Sequence, residues 1–221
     1  MGIFGFLFGK ETTNCVSQTD AVFLAHEAKA IGFTKAVQQA RERSNVLVGC
    51  HFADSLNEAC GILDIAKVPF QVCEVWEEKA KRELAESEIG SVTVTMIESL
   101  PFQSFDSLNQ VIDESRNLMA FGYERHPLRE EDERISGFLA NLPCKSTMKF
   151  FVSLDDPLVQ LFAGPSMKRL LQALDMDPSE SIENDIVARR IGQAQRKIEQ
   201  AAVSNNRTES MKAWFDTNMP N

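Results

Sequence analysis

The sequence predicts an α/β domain: a mainly parallel sheet of five or six strands, covered by helices on both faces and followed by helices alone. Three observations carry this reading. From Asp20 to Leu154, short β-rich runs alternate with amphipathic stretches, the pattern of right-handed strand–helix–strand crossovers. The run "NVLVGC" (45–50) is apolar nearly throughout, as a strand buried on both faces must be. Beyond Leu154 the β signal stops and only helical spacing remains. The expected division is an apolar segment over 1–19, the sheet domain over 20–154 and a helical extension over 155–221.

The elements follow in order. "DAVFLA" (20–25) reads as a short entry strand. "EAKAIGFTKAVQQARER" (27–43) carries Ala28, Ile31, Ala36 and Ala40 near a helical repeat, and its basic end suits a helix C-terminus. After the strand at 45–50, Asp54 is placed to cap a helix whose face holds Leu56, Ala59, Cys60 and Leu63. "VPFQVCEV" (68–75) reads as a strand, "EEKAKRELAESE" (77–88) as a polar helix and "GSVTVTMI" (90–97) as a strand. A helix is expected over "FDSLNQVIDES" (105–115), a strand over "NLMAFGY" (117–123) and a helix opened by Pro127 over 127–142. "MKFFVSL" (148–154) is the last strand.

Three helices are then expected: "DPLVQLFA" (156–163), "SMKRLLQAL" (166–174) and "ENDIVARRIGQAQRKIEQAA" (183–202). The second presents Met167, Leu170, Leu171 and Leu174 on one stripe. The third presents Val187, Ile191, Ala194, Ile198 and Ala201. "SNNRTES" (204–210) breaks the pattern, so residues 205–221 are expected to matter little to the fold.

Composition narrows the function. The formal net charge is −9 over 221 residues, with 23 Lys and Arg against 32 Asp and Glu. Nucleic-acid binding needs clustered cations, so no nucleic-acid partner is expected. The five cysteines include no C-x-x-C pair and the three histidines are scattered, which leaves no zinc spacing. Unpaired cysteines of this kind fit a reducing cytoplasm. Cys50 and His51 are adjacent, which suggests a nucleophile with its base, but neighbours on a strand point to opposite faces. A structural thiol is the simpler reading.

The opening "MGIFGFLFGK" is apolar but too short to span a bilayer, and it lacks a basic start and a cleavage site. Residues 1–10 either dock on a protein surface or make a weak interfacial membrane contact. Gly9-Lys10 does not end a phosphate loop, because Phe4 and Glu11 stand where Gly and Ser or Thr are required.

From about Asp20 to about Glu199 the order of pieces resembles the second motor domain of SecA, the ATPase that drives preproteins through the bacterial translocon. Three blocks carry the resemblance. "DAVF", a helix and "NVLVGCHFADSLNEACGILDIAKVPFQVC" are similar to the family's entry strand, V-L-V-G-T strand, helix and return strand. "FGYERH" is similar to its G-T-E-R-H strand end. "FFVSLDDPLVQLFAGPSMKRLL" with "SIENDIVARRIGQAQRKIE" is similar to its F-Y-L-S-x-E-D run and its A-Q-R-K-V-E helix. The resemblance implies a RecA-like three-layer domain, protein transport as the setting, and a cytoplasmic protein that can sit peripherally at the inner membrane.

The same resemblance implies lost chemistry. Between "ERH" and "SLDD" the family places Q-x-R-G-R-x-G-R-x-G-D, whose arginines reach ATP phosphates held by the first motor domain. Here Arg134 stands at the glutamine, and Ser136, Phe138 and Asn141 stand at the arginines. Gly137, Ala140 and Pro143 stand at the glycines, and Cys144 at the acid. The family's T-I-A-T-N-M-A-G-R-G-T-D-I becomes "TVTMIESLPFQSF" (93–105), without the Gly-Arg-Gly-Thr-Asp loop around Leu100 to Ser104. These 221 residues hold no counterpart of the first motor domain or the peptide-clamping domain.

No catalytic, cofactor-binding or metal-binding residue is therefore expected, and no cofactor. The leading expectation is a non-catalytic interaction protein whose partner is a translocation motor, the translocon or an export substrate. The alternatives are half of a split SecA-type ATPase that completes a site on another subunit, and a small-molecule binder at the strand ends. Glu124, Arg125, His126 and Arg129 read first as an ion-pair cluster stabilising the corner after a strand, and second as candidate partner-binding residues. The stripe residues Val187, Ile191 and Ile198 either fold back on the domain or meet a partner helix-in-groove.

Overall fold

A computed structural model describes residues 14–101, 113–162 and 180–220. The apolar N-terminal run, most of the helix expected over 105–115 and the helix expected over 166–174 lie outside these residues.

Seven strands form one sheet: β1 (Cys15–Ser17), β2 (Ala21–Phe23), β3 (Asn45–Cys50), β4 (Gln71–Val72), β5 (Val92–Met96), β6 (Asp113–Gly122) and β7 (Cys144–Ser153). The order is β1-β7-β6-β3-β5-β4, with β2 pairing farther along β7, and every strand pair is parallel. The helices are α1 (His26–Arg41), α2 (Ala53–Ile65), α3 (Glu78–Glu86), α4 (Arg129–Ala140), α5 (Pro157–Phe162), α6 (Asp185–Ala201) and α7 (Met211–Asn218). This is the RecA-like, helix-flanked parallel sheet that the sequence predicts. The seventh strand, β1, precedes Asp20.

Alternation along the central strands sorts the core into two faces. Val46, Val48 and Cys50 of β3 pack with Phe33 and Val37 of α1 and with Ala59 and Leu63 of α2. Leu47 faces the other way, with Leu84 of α3 and Ile135, Phe138 and Leu139 of α4. β6 repeats the pattern, Phe121 and, just past the strand, Tyr123 on the first face, Leu118 and Ala120 on the second. Gly122 is required where β6 meets β7, because an added Cβ would lie 2.2 Å from the Phe150 ring.

Several local expectations need correction. The inward face of α1 is Ala28, Lys29, Phe33 and Val37, while Ile31 is 50% exposed. The sheet offers aromatic partners, and Phe33 meets Phe121, Tyr123 and Phe151 edge-on. Asp54 does not cap α2: Phe52 holds that position, and Asp54 gives the first turn a favourable carboxylate instead. Asp113–Ser115 is strand rather than helix, anchored by Asp113 N–H donating to Pro143 O at 2.9 Å. The expected strand over 68–75 shrinks to two paired residues at an exposed edge, a place that favours short strands.

A third cluster lies at the carboxyl ends of the strands. There Val187, Ile191, Ala194 and Ile198 of α6 pack with Met211, Trp214 and Phe215 of α7 and with Val22, Phe52, Leu128, Val152 and Leu154. The stripe of α6 thus folds back on its own domain. Residues 205–221, expected to be dispensable, include Trp214, which is 1% exposed. The break at 204–210 is a turn between two packed helices, because Ser210 accepts Ala213 N–H and caps α7.

Ile191→Ala is expected to cost about 2–5 kcal/mol and Trp214→Ala about 3–5 kcal/mol, read as shifts in the urea midpoint at constant slope. Ending the chain at residue 204 should lower the midpoint at least as much as Trp214→Ala.

Candidate functional site

The residues singled out after β6 lead into a buried polar network at the carboxyl edge. Its centre is Asp132, in the first turns of α4. Oδ1 accepts from His51 Nε2 and from the His126 N–H, both at 2.9 Å. Oδ2 accepts from Arg125 Nη1 at 3.1 Å and from Gln195 Nε2 at 2.7 Å. Four donors fill the four lone-pair directions of a carboxylate. The Arg125 fork turns its other side to Asp20, with Nε to Oδ2 at 3.0 Å and Nη2 to Oδ1 at 2.6 Å, a bidentate pair. Its guanidinium also lies 3.9 Å from the Phe150 ring centroid.

Burial opposes charge on both central groups and is overcome on both. It pushes Asp132 up, but the bonds from His51, Arg125 and the His126 N–H hold the carboxyl below the usual range. It pushes Arg125 down, but Asp132 and Asp20 raise the guanidinium above its ordinary value. Glu124 differs. Its burial dominates and raises its pKa, only partly offset by Lys29 and His51, and its Oε1 accepts the His51 N–H at 2.7 Å. Burial, and then the neighbouring His51, push His126 down to about 3. It is a neutral imidazole whose Nδ1 accepts Leu128 N–H at 3.0 Å.

A second buried pair continues the network towards α5. Lys29 Nζ lies 3.3 Å from Asp156 Oδ1 and 4.4 Å from the Tyr123 ring centroid. Asp156 Oδ2 also accepts Ser153 N–H at 2.8 Å. The start of α1 is thereby tied to the turn after β7.

The structure joins Glu124, Arg125 and His126 in this cluster and separates Arg129 from it. Arg129 donates its N–H to Glu199 Oε1 at 2.9 Å, and its side chain, 59% exposed, pairs with Glu133 at 3.1 Å. Glu199 therefore caps α4 from α6. Val187, Ile191 and Ile198 are buried against the domain, so they present no surface to a partner here. Sequence reasoning missed Asp20, His51, Asp132 and Gln195. Asp20 and Gln195 fall inside the blocks "DAVF" and "AQRK", the one signal that pointed to them. Asp132 sits among the charges of "REEDER" and reads as solvated.

The positions that match the family's arginine motif perform structural work. Phe138 is buried, with its ring centroid 4.9 Å from that of Trp76. Ser136 donates to Glu133 O at 2.8 Å, and Asn141 Nδ2 donates to Gly137 O at 2.7 Å across the last turn of α4. Burial pushes the Cys144 thiol up to about 11. Gly137 has no packing reason, since an added Cβ meets nothing within 4 Å. Cys50 is wholly buried and its thiol is raised, by burial first and Glu124 second, while His51 turns away to Asp132. The two do not act as nucleophile and base. Among the described residues no group of three or more His, Cys, Asp or Glu side chains is placed to hold a metal ion.

Two outcomes test the cluster. Arg125→Leu leaves Asp20 and Asp132 without their counter-charge and is expected to cost about 3–5 kcal/mol; Arg125→Lys should recover only part, lacking the fork. For His126 the folded pKa lies below the unfolded value of 6.5, so the unfolded chain binds the proton that the folded chain refuses. Stability is then full above pH 6.5 and drains as pH falls towards 3, by at most about 1.4 kcal/mol per unit. Glu124, whose pKa is raised, acts in the opposite sense. His126→Asn keeps an acceptor for Leu128 N–H and should flatten the profile between pH 6.5 and 4 in urea titrations.

No family model matches the chain. It is similar to protein translocase subunit SecA of Burkholderia multivorans, 36% identical over 95 residues, 43% of this chain and 10% of that protein. SecA of Desulfotalea psychrophila is 26% identical over 184 residues, 81% of this chain and 21% of that protein. SecA of Christiangramia forsetii is 23% identical over 194 residues, 86% of this chain and 17% of that protein. The chain thus spans about a tenth to a fifth of the length of these relatives. Among solved structures, the C-terminal part of the Fun30 ATPase domain matches with a TM-score of 0.41 at 10% identity, over 78% of this chain and 54% of that one. Over 81–86% of its length the chain is thus similar to SecA at modest identity, consistent with a partial SecA-like domain.

Proposed function

We propose that this chain is a non-catalytic SecA-like protein that serves protein export by binding, as an accessory or regulatory partner of a translocation motor, the translocon or an export substrate. One observation carries the reading. Where the resemblance calls for phosphate-reaching arginines, the chain has a core aromatic, Phe138, and two residues bonded within their own helix, Ser136 and Asn141. Phe138 facing Trp76 has no route to a phosphate without unpacking the α3–α4 layer.

The network at the carboxyl edge supports the same reading. Asp132 has its acceptor sites filled by protein donors, and His126 is held neutral with its Nδ1 occupied. Neither is free to act as an acid or base on a substrate. The net charge of −9 argues for a protein partner rather than nucleic acid. No helix among the described residues is long and apolar enough to cross a membrane, and residues 1–10 remain the candidate for membrane contact.

Calorimetric titration with millimolar ATP and magnesium is expected to give no saturable heat, and phosphate release should stay at the buffer rate. A micromolar dissociation constant would instead favour a subunit of a split ATPase. Binding is tested by surface plasmon resonance against purified SecA, the reconstituted translocon and an unfolded preprotein in parallel. Saturable binding to one of the three is expected; silence against all three removes the export role.

A further inference from the structure

Helix α6 divides its surface into two unlike sides. Val187, Ile191, Ala194, Gln195 and Ile198 form the buried side. At about 100° per residue, Arg189, Arg190, Arg196 and Lys197 all fall within about a third of the circumference on the opposite side, and all four are exposed. The other residues of this sector are Gln193, Gln200 and Ile186, the last 52% exposed. It holds no carboxylate. Asp185 and Glu199 lie on its flank and both are engaged: Asp185 Oδ1 accepts from Thr19 Oγ1 at 3.4 Å, and Glu199 Oε1 accepts the Arg129 N–H at 2.9 Å.

Other exposed cations of the chain have a carboxylate one turn away: Lys79 pairs with Glu83, Arg129 with Glu133 and Lys212 with Asp216. The cations of α6 do not. Arg189 Nε donates to the Asp185 backbone oxygen at 3.2 Å, and among the described residues none of the four forms an ion pair. Like charges gathered on one face repel one another, and they set up a local positive field on a chain whose net charge is −9. They also fall into two rows, Arg189 with Arg196 and Arg190 with Lys197. Within each row the spacing is two helical turns, about 10 Å along the axis.

We propose that the outer face of α6 docks an acidic helix of a partner protein. A helix laid along α6 that repeats Glu or Asp every two turns sets carboxylates against both rows. Three of the four cations are arginines, whose planar forks take a carboxylate bidentately. A single acidic helix touches this face alone. A bilayer or a nucleic-acid duplex presents an extended anionic surface, which also meets the carboxylates behind the net charge of −9 and is repelled by them. Exposed charge pairs of this kind govern encounter rate and specificity, and they weaken with salt. The inference rests on the binding role proposed above for the class of partner. Its test uses no export component, so either can fail alone.

The test is fluorescence anisotropy of the full chain with a labelled peptide of repeated Glu-Ala-Ala-Glu-Ala-Ala-Ala, and with its Gln-for-Glu version as control. Saturable binding of the Glu peptide is expected at about 25 mM salt and should weaken about tenfold by about 250 mM, as the screening length shortens. The Gln peptide should not bind. Arg189→Glu with Arg196→Glu should weaken binding about tenfold or more, whereas Lys79→Glu with Arg82→Glu on α3, an equal change in net charge, should leave it within about twofold. All four sites are exposed, and unchanged urea midpoints are expected for both variants. Arg190→Gln with Lys197→Gln removes the other row without adding charge and should weaken binding about threefold or more. No saturable binding at low salt, equal weakening by the α6 and α3 reversals, or tighter binding to phosphatidylglycerol vesicles or duplex DNA than to the Glu peptide would each overturn the proposal.

Discussion

The carboxylate of Asp132 is the point on which the carboxyl edge depends. One charged group of α4 receives a side chain from the end of β3, a side chain and a backbone amide from the turn after β6, and a side chain from α6. Through Arg125 the same centre reaches Asp20 at the start of β2. Segments far apart in the chain are held in one register by a charge that cannot be left unpaired away from water. The apolar cluster of α5, α6 and α7 then closes over it and raises the cost of breaking any of its bonds.

That arrangement sets the corner after β6, where the charged residues are buried and bonded, apart from the adjoining helix, which has Ser136, Phe138 and Asn141 where the resemblance places arginines. The two sets answer to different requirements. Glu124, Arg125 and His126 bond to His51, Asp20, Asp132 and Leu128, all inside the chain. Ser136 and Asn141 donate to carbonyls of helix α4, and Phe138 packs edge-on against Trp76, ahead of α3. A buried charge network constrains each of its members, whereas a helix face asks only for the right size and polarity. A domain can retain the first and change the second without losing its shape.

Parallel-sheet topology and the helix stripes were legible in the sequence, because each is written locally. A strand buried on both faces must be apolar at successive positions, as 45–50 is, and a packed helix must repeat its apolar residues near 3.6, as Val187, Ile191, Ala194 and Ile198 do. Helix ends and strand lengths were less so. Phe52 rather than Asp54 precedes α2, and the Asp54 N–H is taken up by Glu209 O, a contact spanning most of the chain.

By itself, then, the sequence determined the alternation of strands and helices, the inward stripe of α6 and the blocks that resemble SecA. Only the tertiary structure decided that Arg125 belongs to Asp20 and Asp132, that Gln195 turns inward, and that the tail after residue 204 seals the sheet edge. The physical reason is range. Periodicity records which side of one element avoids water. The pairing of a buried charge depends on which distant donors the fold brings within about 3 Å, and no local pattern records that.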